Sequence, residues 1–315
     1  LKESALAEAG SKQARIGARG SPLAVAQANL FAARLKAASG VETTFEAFTT
    51  TGDKILDKPL TEAGGKGLFT KELDRAQEIH AIDIAVHSLK DMTANLPEHL
   101  YLAAFLPRED PRDCLLGPSA TIAGLPEGAV LGTSSLRRRA QALAIRPDLR
   151  IVEFRGNVQT RLRKLSEGVA NATLLAAAGL RRLGMIDHAA GVIGINELLP
   201  AGGQGIIGVT LHVDAPQWLK DAIAATDDRS SRLAALAERA FMRRLDGSCR
   251  TPIAAHLRLT EAGAEMAGEV LTDNGEKRWR AEGAISGEVT DARAEALGLR
   301  LAEEVADARA MDGGA

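Results

Sequence analysis

Cysteine is nearly absent from this chain: Cys114 and Cys249 are the only two among 315 residues. Two cysteines exclude a disulfide framework and a zinc site built on cysteine. The six histidines are scattered, and none pairs with another at ligand spacing. No apolar run approaches the length of a bilayer span, and no apolar stretch of the signal-peptide kind opens the sequence. The expectation is a cytoplasmic protein with no membrane partner. Neither sign of charge dominates: 39 Lys and Arg against 41 Asp and Glu give a formal net charge of -2, which offers no global attraction to nucleic acid. Internal repeats and low-complexity stretches are missing too, which argues against a scaffold role.

What is there is ordinary in bulk and uneven in detail. Apolar residues at 45% and charged residues at 25% suit a soluble globular chain long enough for two or three domains. Residues 1–13 are polar and Ala-rich and read as a frayed lead-in. A strand over 15–19 precedes Ser21-Pro22, an N-cap followed by proline in the first turn, and Gly40 ends that helix after Ser39. Strands follow at 41–48 and 82–87, with a helix over 68–80 between them, the spacing of βαβ units in a mostly parallel sheet. The pattern restarts after Pro111, with strands at 129–133, 150–155 and 172–177 and helices over 135–145 and 157–167. A further strand at 206–213 returns to the first unit through a crossover at Pro200-Ala201-Gly202-Gly203. Beyond residue 229 come a long helix over 231–245, strands at 253–259, 265–271 and 277–285, and a helix over about 289–308. Residues 311–315 read as disordered. Expected domains are therefore 14–106 with 206–224, then 112–200, then 229–310, with a ligand cleft between the first two.

Several segments carry chemistry. His87-Ser88-Leu89-Lys90-Asp91 sits at the C-terminal end of a buried strand, where open α/β sheets place functional groups, although an ordinary strand exit with a solvated Lys-Asp pair reads the same way. Arg137 and Arg138 follow Gly132-Thr133-Ser134-Ser135 at a helix N-terminus, and Arg155-Gly156-Asn157 with Arg161 repeats that arrangement. Arginine forks at two such junctions suit carboxylates, the alternative being a solvated basic face. Gly203-Gln204-Gly205-Ile206-Ile207-Gly208 matches the dinucleotide fingerprint but leads into a strand rather than a helix, so it is rejected. Gly64-Gly65-Lys66-Gly67 lacks the remaining features of a phosphate loop and reads as a loop beside the cleft. Cys114 reads as a buried small hydrophobe. Cys249, among Gly247, Ser248, Arg250 and Pro252, reads as a candidate nucleophile.

Taken together, these segments resemble hydroxymethylbilane synthase, the porphobilinogen deaminase family. The resemblance rests on Arg19-Gly20-Ser21-Pro22-Leu23-Ala24, the Gly64 to Phe69 stretch, His87 to Asp91, Arg108-Glu109-Asp110-Pro111-Arg112-Asp113, Gly132 to Arg138, Arg155 to Val158, Leu199 to Gly205 and the Cys249 loop, in family order from about residue 15 to 255. It implies an α/β fold of two tandem periplasmic-binding-protein-like domains with a cleft between them, plus a small α+β C-terminal domain. It also implies a transferase that adds four porphobilinogen units to a dipyrromethane held as a thioether on Cys249, then releases 1-hydroxymethylbilane, with no metal or nucleotide. By motif position Asp91 is the catalytic carboxylate. Lys90, Ser135, Arg137, Arg138, Arg155 and Gly156 are the expected cofactor contacts. Arg19, Ser21, Arg155, Arg161 and Gln204 are the expected substrate contacts. A monomer is the family's usual state. The chain departs from the family's pattern at Met92-Thr93, where a proline usually follows, and at Glu62 and Thr51, where many members carry basic residues, so neither Glu62 nor Thr51 is assigned a ligand. A non-catalytic anion-binding protein is the principal rival, but it has no use for Cys249. A nucleotide-dependent oxidoreductase rests only on the rejected glycine motif.

Overall fold

The computed structural model describes residues 12–54, 67–245 and 251–313. Within them, β1 (Gln13–Arg19) leads into α1 (Pro22–Ser39), then β2 (Glu42–Phe48), the short α2 (Thr51–Lys54), α3 (Lys71–Glu78), β3 (Ile84–Ser88) and β4 (Leu100–Phe105). The chain then crosses to β5 (Asp113–Leu116), β6 (Val130–Gly132), α4 (Leu136–Ile145), β7 (Arg150–Val152), α5 (Val158–Ser166), β8 (Ala172–Ala176), α6 (Ala177–Arg182) and β9 (Gly191–Val192). It returns through β10 (Ile207–His212) and α7 (Gln217–Ala224), and finishes with α8 (Arg229–Arg244), β11 (Ile253–Thr260), β12 (Gly263–Leu271), β13 (Arg278–Ser286) and α9 (Asp291–Met311).

Local chemistry sets the helix ends. Ser21 Oγ accepts from Ala24 N at 3.3 Å at the start of α1, and Gly40 closes it in the left-handed region at φ 73°, its N–H on Lys36 O at 2.8 Å. Ser135, Asn157, Asp228 and Thr290 cap α4, α5, α8 and α9 in the same manner.

The first sheet has the order β2-β1-β3-β10-β4 and the second β7-β6-β8-β5-β9. In each, the first three strands run parallel and the fourth runs antiparallel to both neighbours. The two sheets therefore share one topology, and in each the strand that ties it to the other is the antiparallel one. The expected two tandem α/β domains are thus present, with β11-β12-β13, α8 and α9 forming the small α+β unit. That unit shares a core with the first sheet: Leu89, Met92, Phe105 and Ile206 pack into the cluster of Leu233, Phe241, Met266 and Leu301. Burying each phenylalanine contributes about 1.5–3 kcal/mol. Gly268 makes room for Phe241, since a Cβ there would lie 2.3 Å from its ring.

Some expected boundaries are corrected. Only Lys71–Glu78 is helical within 68–80, because Leu68 and Thr70 turn into the core before the helix starts. The strand expected over 150–155 stops at Val152, since Phe154 N donates to Ser134 Oγ at 3.0 Å instead of to a neighbouring strand. Arg155 consequently sits on a loop. Helix α9 runs through Met311, which was expected to be disordered. β4, β5, β9 and α7 carry no periodic signal long enough to read, and pairing with β10, β8 and β5 is what makes the first three strands. Among the described residues no helix is long and apolar enough to cross a membrane.

Candidate active site

Parallel pairing of β1 with β3, Ile16 beside Ile84, brings Arg19 and the Ser88–Asp91 exit to one sheet edge. Beyond Ser88 a 3-10 turn spans Leu89–Asp91. Buried Leu89 and Met92 anchor it on either side, so Lys90 and Asp91 are left to face the cleft. Arg19 Nη1 lies 3.8 Å from Asp91 Oδ2, its Nε and Nη2 are taken by Asp53, and its guanidinium stacks 4.4 Å over the ring of Phe69. A cavity of about 50 Å³ opens here, lined among others by Arg19, Ser21, Gln27, Phe69, His87 and Asp91. Ser21 thus both caps α1 and lines the cavity. Burial, with Arg19 and Arg239 adding repulsion, pushes His87 down to about 4, so it stays neutral and pairs with Thr210 Oγ1 at 3.2 Å.

On the opposite side, Ser135 Oγ accepts from Arg138 N at 3.4 Å, and the first turn of α4 points both arginines at Asp113. Arg137 Nη2 meets Asp113 Oδ2 at 2.8 Å, and Arg138 Nη2 meets Oδ1 at 2.7 Å. Arg137 also donates to Leu199 O and Gln141 Oε1, and Arg138 to Leu174 O. Both arginines are 5% exposed and Asp113 is fully buried. The two guanidiniums hold the Asp113 carboxyl far below the usual carboxylate range despite burial, which alone would raise it. Gln204 is buried with them. Its Nε2 donates to Pro111 O at 2.6 Å and Asp113 Oδ1 at 3.0 Å, while its Oε1 accepts from Lys90 Nζ at 3.2 Å.

The sequence pattern leads one to expect Arg137, Arg138 and Gln204 to turn their polar ends to a ligand. The structure instead turns most of those ends inward, because a buried cation needs an internal partner. Arg137 Nε is the exception, buried without a hydrogen-bond partner among the described residues.

Arg155 is buried and reaches across to the first lobe, where its Nη2 meets Gly52 O at 3.3 Å. Gly156 follows at φ 118°, a conformation other residues rarely adopt, and a Cβ there would lie 2.5 Å from Thr160 Cγ2. Arg161 Nε donates to Gly156 O at 3.0 Å, and its guanidinium makes no ion pair among the described residues. Burial pushes Arg161 down to about 10, with Arg138 and Arg155 adding repulsion. Burial likewise pushes Lys90 down to about 8, with Arg138 and Arg137 adding to it. Among the described residues the cleft therefore holds cations in excess of carboxylates, which is the electrostatic condition for taking up an anion.

Asp53, Phe69, Asp113 and Arg182 went unassigned from the sequence. Arg182, whose Nη2 donates to Gly205 O at 2.6 Å, closes the arginine cluster that begins at Arg137, and that clustering was its signal. Asp113 lies within the Arg108 to Asp113 stretch already singled out. Nothing in the sequence marks Asp53 or Phe69 as neighbours of Arg19. Cys114 is fully buried, and burial with Asp113 beside it pushes the thiol up to about 11, so it is inert at neutral pH. Cys249 lies outside the described residues, as does the Gly64-Gly65-Lys66 stretch.

Comparison with known proteins adds an independent line. Residues 14–220 match the family model described as porphobilinogen deaminase, dipyromethane cofactor binding domain, and residues 232–307 match the porphobilinogen deaminase C-terminal domain. The chain is 52% identical to a porphobilinogen deaminase of Paracoccus denitrificans over 297 residues, 92% of this chain and 93% of that one. It is 50% identical to a chloroplastic porphobilinogen deaminase of Oryza sativa over 250 residues, 77% of this chain and 69% of that one. Among solved structures it is similar to a TRAP periplasmic solute binding protein from Desulfovibrio salexigens, with a TM-score of 0.44 and 9% identity over 73% of this chain and 75% of that one. Both sequence domains and relatives spanning nearly its full length thus agree, and the chain belongs to the porphobilinogen deaminase family.

Proposed function

We propose that this chain is a hydroxymethylbilane synthase, a transferase that condenses four porphobilinogen molecules in turn, releasing one ammonia each time. The observation that carries the reading is a carboxylate, Asp91, set among partly buried cations that its own lobe and the facing one supply: Arg19 lies at 3.8 Å, and Lys90 and Arg161 are both depressed by burial and by neighbouring arginines. A pyrrole carrying acetate and propionate is a dianion, and a chain of them is a polyanion, so a cleft with surplus cations suits both.

A dipyrromethane fits that cleft: Arg137 Nε is buried without a hydrogen-bond partner among the described residues, and Lys90 and Arg161 lie nearby as cations destabilised by burial and by neighbouring arginines. When bound, as a thioether on Cys249, it supplies a free pyrrole α-carbon as the nucleophile. Lys90, Ser135, Arg137, Arg138, Arg155 and Gly156 would hold its carboxylates, with Asp113 and Gln204 orienting the arginines and Lys90. Arg19, Ser21, Arg155 and Arg161 would hold the incoming porphobilinogen, and Gln204 acts on it through Lys90.

In each cycle the substrate's aminomethyl C–N bond breaks and ammonia leaves with a proton, which forms an azafulvenium-type cation. The growing chain's terminal pyrrole would supply the α-carbon that bonds to this cation, with loss of the α-carbon's proton. For release, the bond between the primer's α-carbon and the methylene of the first added unit would break, the α-carbon regaining a proton, and water would add at that methylene and lose a proton to give 1-hydroxymethylbilane. The arginines that bind carboxylates also oppose the cation. Asp91 offsets this by facing the pyrrole N–H, an interaction strongest when the charge is fullest. A cytoplasmic monomer is part of the same reading.

Intact mass of the purified protein beside a Cys249→Ser variant tests it. An excess of two linked pyrroles in the first, or its appearance on incubation with porphobilinogen, and none in the second, is expected. No adduct under either condition points instead to an anion-binding protein. In Asp91→Ala, turnover should drop by at least about 100-fold, the scale of losing a transition-state charge partner, and turnover within a few-fold of the parent would sink the assignment.

A further inference from the structure

A guanidinium can meet a carboxylate along either of two edges, and in Arg19 one edge is already occupied. Its side edge faces Asp53: Nε donates to Oδ2 at 3.2 Å, and Nη2 makes a second ion pair with Oδ1. Asp53 is itself fixed, because its Oδ2 accepts from Thr50 N at 3.1 Å and Thr50 Oγ1 at 2.7 Å. Burial would raise the Asp53 pKa, but the hydrogen bonds from Arg19 and Thr50 outweigh it and hold the carboxyl below its usual range. Phe69 supports the guanidinium face at 4.4 Å. What is left is Nη1, which stops 3.8 Å from Asp91 Oδ2, beyond hydrogen-bond reach.

That gap matters for the reaction. Asp91 can stabilise a neighbouring cation only with charge that is not already spent on a direct partner. Arg19 is the cation nearest to it, and a guanidinium free to swing would close the gap and form a bidentate pair with Asp91. Asp53 prevents this by taking the side edge, and it leaves Nη1 toward the cavity where a substrate carboxylate would arrive. Resting on the function read above, we propose that Asp53 is a positioning residue that holds Arg19 off Asp91 and aims it at the substrate.

Asp53→Asn tests this in three ways. A crystal structure of the variant, with or without cofactor, should show Arg19 within about 3.0 Å of an Asp91 oxygen; an Arg19 that stays at the parent's separation overturns the inference. In cofactor-loaded enzyme, kcat should fall by about tenfold to a hundredfold, and KM for porphobilinogen should rise with it, because Arg19 is drawn from the substrate carboxylate to Asp91. A raised KM with unchanged kcat would mean that Asp53 only props up the binding site. In an Arg19→Gln background the same substitution should change kcat by less than about twofold, since Asp53 then has nothing to restrain; an undiminished effect there also refutes the idea. Asp53→Glu, which keeps the charge, should recover most of the loss. Failure of the parent enzyme to make product would refute the functional reading instead, whereas an active parent with an unaffected variant would refute this inference alone.

Discussion

Lys90 shows how a single residue can carry both a structural and a binding load. Its ammonium rests on Gln204, which in turn rests on Asp113, the shared partner of Arg137 and Arg138. Burial and those two arginines bring its pKa down to about 8, so a rise in pH through that value removes a positive charge from the cleft. KM for porphobilinogen should therefore rise above about pH 8, where the neutral amine no longer attracts a dianion. Lys90→Arg should move that rise to higher pH, because a guanidinium keeps its proton throughout the range. Steady-state kinetics from pH 7 to pH 10 on both proteins would check this, and coincident profiles would show that Lys90 is not the titrating group. Lys90 and Asp91 were legible because they end a buried strand. The inward orientation of Arg137, Arg138 and Gln204 was not, since it depends on Asp113, whose side chain only the assembled sheet brings beneath α4.

At the scale of elements, α8 is the member that joins the parts. Its Glu238 is fully buried, pairs with Arg108 Nη1 at 2.6 Å, and accepts from Gly203 N at 2.6 Å and Leu257 N at 2.8 Å. Arg108 and Gly203 lie on the two chain segments that cross between the five-stranded sheets, so one carboxylate holds both crossings and β11. The neighbouring Arg239 donates to Thr93 O and Ala94 O, each at 2.9 Å. It fixes the segment after Asp91 where this chain carries Met92-Thr93 in place of the family's usual proline. Glu238→Gln should leave the partly buried Arg108 without its charge partner and cost about 3–5 kcal/mol of stability. Urea unfolding would measure it, and a loss below about 1 kcal/mol would mean that the pair is weaker than its burial implies. The periodicity of α8 gave the helix and its apolar face. It gave no hint that a glutamate belongs inside, because a charge at a core position becomes tolerable only when partners from other segments converge on it.

For the whole molecule, the same buried carboxylates set the response to acid. Asp113 and Glu238 both have folded pKa values below their ordinary ones, Glu238 at about 2, because of Arg137 and Arg138 in the first case and Arg108 in the second. The unfolded chain then binds more protons than the folded one, so stability is fully present above the unfolded values and is lost as pH falls through the folded ones. The urea midpoint should begin to decline below about pH 6.5, where the unfolded chain protonates His87 and the folded one does not, and fall steeply between about pH 4 and pH 2 as the carboxylates follow. In Asp113→Asn the decline should be shallower, starting from lower stability at pH 7; a slope equal to the parent's would show that Asp113 adds nothing to it.

Sequence by itself determined the alternation of strands and helices, the cap at Ser21, the rejection of the glycine motif that leads into β10 and the clustering of arginines at two strand-to-helix junctions. Those features are local, decided by side-chain periodicity and by hydrogen bonds that span three or four residues. Tertiary structure alone decided that Asp113 unites Arg137 with Arg138, that Asp53 restrains Arg19, and that Glu238 ties the crossings together. Each of these joins residues far apart in the chain, and a buried charge takes whichever partner the folded backbone places within reach.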